Sequence, residues 1–433
     1  MDGSLLHAKR QSKVSYFYQE SVGNHYYGLQ HPMKPQRLRL THHLLLSYGL
    51  YQKMEVFRPH AATTEELETF HAKEYIDFLS KVSPHAEQDM QRLCDKFMVG
   101  GLSDCPSFDG LFDFMSICAG GSMDAAVRIN RGAADVCVNW AGGLHHAKKA
   151  EAEGFCYIND IVLCILELLK YHTRVLYVDI DIHHGDGVEE AFYTTNRVMT
   201  CSFHKYGDFF PGSGALEDIG QGAGKYCSVN VPLMKGLDDV SFEHVFKPVI
   251  DRIFQNYAPQ AVVMCCGADS IAGDRLGCWN LTLKGHASAV AYLKSFGVPL
   301  VLLGGGGYTP RNVARCWAYE TATAMGIEAN LKDEIPENEM YTSYGPDFRL
   351  HLDPDKSLVN RNTRAHTEPI VQQVLDNLNK LGGPPSIAFQ DVPSDFYHIQ
   401  EEDEGGPIDG TDEVAEKKQR MTFPPDTMCG GLD

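Results

Sequence analysis

The stretch Asp179-Ile180-Asp181-Ile182-His183-His184-Gly185-Asp186-Gly187 closes an apolar run that starts at Arg174, and its alternation decides how the rest of the chain is read. A side-chain period of two puts Asp179, Asp181 and His183 on one face, with Val178, Ile180 and Ile182 on the other. Burial alone does not select that pattern. Two carboxylates side by side at the end of an apolar strand repel and are costly to desolvate unless a cation or an imidazolium compensates them. A divalent metal does so directly. Asp181 offers an oxygen, His183 a nitrogen, and Asp269, at the end of another apolar run, a third ligand, leaving a position open for water and substrate. Two Asp and one His without Cys suit zinc or ferrous iron better than a structural zinc cage. Taken alone, Asp269 reads as an ordinary polar residue at a strand end. The whole run does not, because glycines follow its histidines and permit close backbone approach.

Outward from this stretch, other short runs have the length and β-branched content of buried parallel strands: Asp135 to Trp140, Val198 to Phe203, Ala261 to Cys266 and Pro299 to Leu303. Amphipathic stretches separate many of them. Examples are Asn159 to Tyr171, which Asn159 or Asp160 can cap, and Ser241 to Tyr257, where Val245, Phe246, Val249, Ile250 and Ile253 follow helical spacing. The alternation predicts an α/β fold: one domain over residues 14–394, with a predominantly parallel sheet flanked by helices and its site at the C-terminal strand ends. Those ends are loaded with chemistry. They carry Gly142-Gly143-Leu144-His145-His146, Ser202-Phe203-His204, Gly267-Ala268-Asp269-Ser270 and Gly304-Gly305-Gly306-Gly307-Tyr308. If these strands are neighbours, they deliver imidazoles, carboxylates and a phenol to one rim. His145 and His146 read as a catalytic pair whose distal nitrogens Asp179 and Asp186 can hydrogen-bond, and the glycine run lets Tyr308 swing towards the same rim.

The chain carries a formal net charge of −19, which argues against phosphate-backbone or sequence-specific nucleic-acid binding; with part of that charge in the C-terminal tail, it reads equally as attraction for basic partners or as simple solubility. No run of eighteen apolar residues suggests a membrane span, so the expectation is a soluble intracellular protein. Thirteen cysteines, an odd number without C-x-x-C pairs, read as reduced and mostly buried thiols. Residues 395–433 turn acidic and polar and predict a disordered tail, within which Lys417-Lys418-Gln419-Arg420 is a weak nuclear-import patch.

The quoted motifs resemble those of the zinc-dependent histone deacetylases of the arginase-deacetylase superfamily, and more narrowly class I. Tyr27-Gly28, His31-Pro32-Met33-Lys34-Pro35, Gly154-Phe155-Cys156-Tyr157, Phe209-Phe210-Pro211-Gly212 and Asp274-Arg275-Leu276-Gly277-Cys278 extend the likeness over roughly residues 15–395. The resemblance implies the arginase-deacetylase fold and hydrolysis of N6-acetyl-lysine in histone tails by one Zn2+ ion on Asp181, His183 and Asp269. It further implies a narrow tunnel lined by Gly154, Phe155, Phe210 and Leu276, and a rim carboxylate, Asp104, that grips the substrate backbone. The segment before Asp104, Val99-Gly100-Gly101-Leu102-Ser103, is longer than the family pattern. Structural K+ is implied at Asp179, Asp181, His183, Ser202 and Phe203. Inositol phosphate, shared with co-repressor subunits, is implied at Lys34, Arg275 and Arg311, although Gln30 stands where a glycine is usual. The implied setting is transcriptional repression in the nucleus, with the cytoplasm as a further compartment. In the implied mechanism His146 moves the proton, His145 assists electrostatically and Tyr308 steadies the oxyanion, while sequence leaves open which imidazole is the base. A scaffold that reads acetyl-lysine without cleaving it predicts a missing ligand or tyrosine. A hydrolase of other amides or longer acyl-lysines predicts an altered tunnel mouth. Neither departure is present.

Overall fold

Every strand of the central sheet runs in the same direction, so each connection must cross back over a face, and helices cover both. A computed structural model describes residues 12–101 and 103–386. The end of the predicted domain, the acidic tail and the Lys417 cluster lie outside the described residues. The strands are β1 (Val14–Phe17), β2 (Glu55–Phe57), β3 (Val136–Asn139), β4 (Val175–Asp179), β5 (Val198–Lys205), β6 (Ser228–Leu233), β7 (Ala261–Cys265) and β8 (Leu300–Leu303). Their order across the sheet is β2-β1-β3-β8-β7-β4-β5-β6, which is the arginase-deacetylase α/β arrangement.

The five runs anticipated as strands are the contiguous centre, β3-β8-β7-β4-β5, so their loaded ends do share one rim. Period-two alternation divides them between two cores. Val136, Val138, Leu176, Val178, Val262, Met264, Leu300 and Leu302 face one core; Cys137, Val175, Tyr177, Val263, Cys265, Val301 and Leu303 face the other. The first core lies under the helices Gln36–Ser47, Asp239–Tyr257, Leu283–Ser295 and Pro310–Met325. The second lies under Asp160–Leu168 and part of Leu111–Asn130. β4 stops at Asp179, earlier than the run to Ile182 suggested, because Asp181 onward turns its backbone into the site. Parity survives the stop: Ile180 and Ile182 still pack with Val178.

Helix Asp160–Leu168 is shorter than the stretch to Tyr171, and its cap is Asn159, whose side chain accepts from the Val162 N–H at 3.1 Å. Asp160 is thereby freed for a different task. Helix Asp239–Tyr257 begins two residues before the anticipated start, where Asp238 accepts from the Ser241 N–H at 2.9 Å. Among the described residues the cysteines are all free, buried except for the half-buried Cys278. No helix there is long and apolar enough to cross a membrane.

Asn159 is fully buried and also donates to the Ala147 carbonyl at 2.9 Å, tying the helix to the segment after the histidine pair. Asn159→Ala should therefore lower the unfolding free energy by about 1–3 kcal/mol, read from the denaturant midpoint. A loss below about 0.5 kcal/mol would show that the cap carries no such load.

Candidate metal centre and active site

The rim begins with β4. Beyond Asp179 the backbone folds so that the His183 N–H and its Nδ1 both lie against Asp181 Oδ1, at 2.9 and 3.0 Å, and Nδ1 is also 3.1 Å from Asp269 Oδ2. One donor atom from each of Asp181, His183 and Asp269 lies within 4.8 Å of the others, and all three residues are buried. Backbone N–H groups fix the carboxylates from behind. Gly306 donates to Asp181 Oδ2 at 2.7 Å, and Ile182 donates to Asp269 Oδ1 at 3.0 Å.

The electrostatics register the crowding. Burial, then the neighbouring Asp181, push Asp269 up to about 7. Burial works the same way on Asp181, but His145 and His183 override it and hold that carboxyl below its ordinary range. His183 is raised to about 10 despite burial, through its hydrogen bonds to Asp181 and Asp269. Without a cation, then, a proton must sit among these three groups. Two oxygens and a nitrogen, pre-held by backbone donors, fit a zinc-type ion that would take the proton's place.

Among the described residues two other buried groups could gather three donors, His145–Asp181–Cys265 and His286–Cys316–Glu320. The first borrows Asp181, and burial raises the Cys265 thiol well above its usual value, which keeps it neutral. In the second both imidazole nitrogens are engaged, Nδ1 at 2.7 Å from Glu320 and Nε2 donating to the Gly267 carbonyl at 3.0 Å.

Beyond β3 the histidine pair sits with ring centroids 3.9 Å apart. Asp160 accepts from the N–H groups of Gly143 and Leu144, at 3.0 and 2.8 Å, and so anchors the loop that carries them. His145 Nδ1 is 2.8 Å from Asp179 Oδ2, and His146 Nδ1 is 2.7 Å from Asp186 Oδ1. The two dyads differ in charge. Although burial opposes it, Asp179 and then Asp181 hold His145 up to about 9. Burial and the nearby His145 push His146 down to about 3. Asp186 stays below the usual carboxylate range against burial because His146 and Lys148 face it.

Tyr308 is buried, 5.8 Å from the Phe155 ring and 6.4 Å from the His183 ring, centroid to centroid. Phe210 stands edge-on to His146 at 5.0 Å and to His183 at 6.1 Å. Gly154 is there because nothing larger fits: its φ is +55°, and an added Cβ would lie 2.4 Å from the His146 ring and 3.0 Å from Phe210. Leu276 is part-exposed, and Asp104 accepts from the Gly154 N–H at 3.2 Å despite the longer segment before it. Ser202 lies opposite Asp179 in the β4/β5 register, with Phe203 next to it. Lys34 donates to the Gly28 carbonyl at 3.1 Å, and Arg275 and Arg311 are exposed.

Several contributors escaped the sequence reading. The Tyr177 hydroxyl donates to Asp179 Oδ2 at 2.5 Å, Lys148 pairs with Asp186, and Phe209 stacks on His183 at 5.0 Å. Arg37, buried, donates to the carbonyls of Gly305 and Gly307 at 2.6 and 2.8 Å. Tyr177 was findable, because it shares parity with Asp179 two residues on. Arg37 and Lys148 had no signal beyond being basic residues near quoted motifs.

Fold and donor set together describe a metal-dependent hydrolase built on a parallel α/β sheet. The histone deacetylase domain matches residues 31–324 of the chain. Histone deacetylase 1 of Homo sapiens is 56% identical over 383 residues, covering 88% of this chain and 78% of that protein. Type-1 histone deacetylase 1 of Dictyostelium discoideum is 56% identical over 396 residues (91% and 79%), and probable histone deacetylase 1-B of Xenopus laevis is 55% identical over 399 (92% and 82%). The chain belongs to the histone deacetylase family, in its class I branch.

An added methyl at Gly306 would lie 2.0 Å from Asp269 Oδ2 and 2.9 Å from Asp181 Oδ2. Gly306→Ala should therefore yield folded protein with little bound metal, seen by elemental analysis beside an unchanged circular dichroism spectrum. Full metal content in that variant would contradict the assignment of these carboxylates as ligands.

Proposed function

We propose that this chain hydrolyses N6-acetyl-lysine in histone tails, with one zinc ion held by Asp181, His183 and Asp269, and that it acts in chromatin regulation and transcriptional repression. The observation that carries the reading is the convergence of that three-donor set with two oppositely tuned imidazoles, Phe210 against one of them, and a buried tyrosine beside the Phe155 ring. Family membership supports the histone substrate, since the relatives are named histone deacetylases.

Zinc bound there supplies Lewis acidity, polarising the acetamide carbonyl and lowering the pKa of the attacking water. The chain's own residues handle the protons. Asp186 is an ionised acceptor, so His146 carries its proton on Nδ1 and leaves Nε2 free to take one from water. His146 then returns a proton to the departing lysine amine. His145, paired with Asp179, keeps its positive charge and offsets the negative charge that develops beside it. With the rings 3.9 Å apart the two imidazoles titrate as a coupled pair, and before His146 takes the water proton the one charge between them sits on His145. Burial raises Tyr308 well above its ordinary pKa, so at neutral pH it is a phenol that donates to the oxyanion.

Phe155 and Phe210 enclose the aliphatic lysine stem, Gly154 leaves room for it, Leu276 forms the lip and Asp104 accepts from the substrate backbone. We place K+ at Asp179, Asp181, His183, Ser202 and Phe203, mostly on backbone carbonyls, a reading supported by the buried, paired ends of β4 and β5. An inositol phosphate shared with co-repressor subunits is assigned to Lys34, Arg275 and Arg311, whose donors suit phosphate oxygens. The nucleus is the setting this function requires. A silent scaffold is disfavoured because each donor and Tyr308 are present and converge.

The direct test is acetate release from acetylated histone tails by purified protein. Prolonged chelation should abolish release and zinc should restore it. Tyr308→Phe should lower turnover by roughly 10²- to 10³-fold, the scale of losing one oxyanion donor. Turnover in that variant equal to wild type would remove the hydroxyl from the mechanism.

A further inference from the structure

Tyr308 hangs from four consecutive glycines, and two of them, Gly305 and Gly307, have φ of +131° and +125°, so the segment itself scarcely restrains the ring. Something else must. The peptide unit that joins Gly307 to Tyr308 is gripped from both ends: Arg37 donates to its carbonyl at 2.8 Å, and Asp274 Oδ2 accepts from its N–H at 2.7 Å. The other oxygen of Asp274 accepts from the N–H groups of Leu276 and Gly277, at 2.8 and 2.9 Å. A single carboxylate therefore ties the turn that presents Leu276 to the peptide that aims Tyr308. Alongside it, the Thr309 hydroxyl donates to the Gly273 carbonyl at 3.0 Å, a second tether between the same two loops.

We propose that Asp274 is a positioning residue that sets the oxyanion donor Tyr308 and the tunnel lip Leu276 as one unit. It touches no reacting atom. The inference rests on the deacetylase reading of this site and adds the means by which the glycine-hung tyrosine is held. Asp274→Asn tests it with least disturbance. A carboxamide keeps the shape but can present an oxygen to only one side, so its NH2 must face either the Tyr308 N–H or those of Leu276 and Gly277.

kcat and KM are measured on an acetylated histone-tail peptide for wild type, Asp274→Asn, Tyr308→Phe and the double variant. Asp274→Asn should lower kcat by about 10- to 100-fold, the scale of misplacing a reacting group, and should raise KM. In the Tyr308→Phe background the same change should leave kcat within about threefold, since no hydroxyl remains to misplace, while the KM effect persists. Equal kcat losses in both backgrounds would overturn the proposal. If Asp274→Asn does not fold, Thr309→Val reads the same coupling through the second tether. Its kcat loss must likewise vanish without the hydroxyl, and no loss, or one that persists, counts against the proposal. An inactive wild type would sink the deacetylase reading and this inference together; an active wild type with uncoupled losses sinks the inference alone.

Discussion

Negative charge buried at the ends of β4 and β7 is the constraint on which the rest of the structure depends. Asp179, Asp181 and Asp269 are all fully buried, where an uncompensated carboxylate is prohibitively costly. The fold answers with backbone donors from Gly306, Ile182 and His183, with the imidazole of His183, and with a positively held His145. In the proposed function a cation shared by Asp181, His183 and Asp269 would complete the compensation. The glycine run after β8 follows from the same constraint, because any side chain at Gly306 would enter the space of the two carboxylates.

That constraint also explains why the two histidines differ. His145 faces Asp179 and lies 4.0 Å from Asp181, so it is held protonated. His146 faces an Asp186 already shared with Lys148, and His145 beside it discourages a second positive charge. Identical side chains, adjacent in sequence, thus differ in charge according to the groups that face them.

Much of this was legible because it is written in alternation. The period-two run from Val178 to His183 separates apolar from polar residues, and a parallel sheet requires its strand ends to meet at one rim. The five central strands were readable as apolar runs. β1, β2 and β6 were not. β2 has three residues, none fully buried, and β6, an edge strand, contains Pro232, which a sheet tolerates only at its margin. The supporting residues of the site were hidden for another reason. Arg37 and Asp274 act on backbone groups 270 and 34 positions away, and no local spacing encodes such a partner. Asp160 appeared as one of two candidate caps, and only the packing decided that Asn159 caps the helix while Asp160 anchors the histidine loop.

The proposed chemistry at this rim turns on one cation shared by Asp181, His183 and Asp269. Anomalous diffraction at the zinc edge from crystals of the purified protein locates it directly. The prediction is a single strong peak at the rim, about 2.0–2.2 Å from a His183 nitrogen and from oxygens of both Asp181 and Asp269. A peak bound by other residues, or none there in protein that still releases acetate, would contradict it.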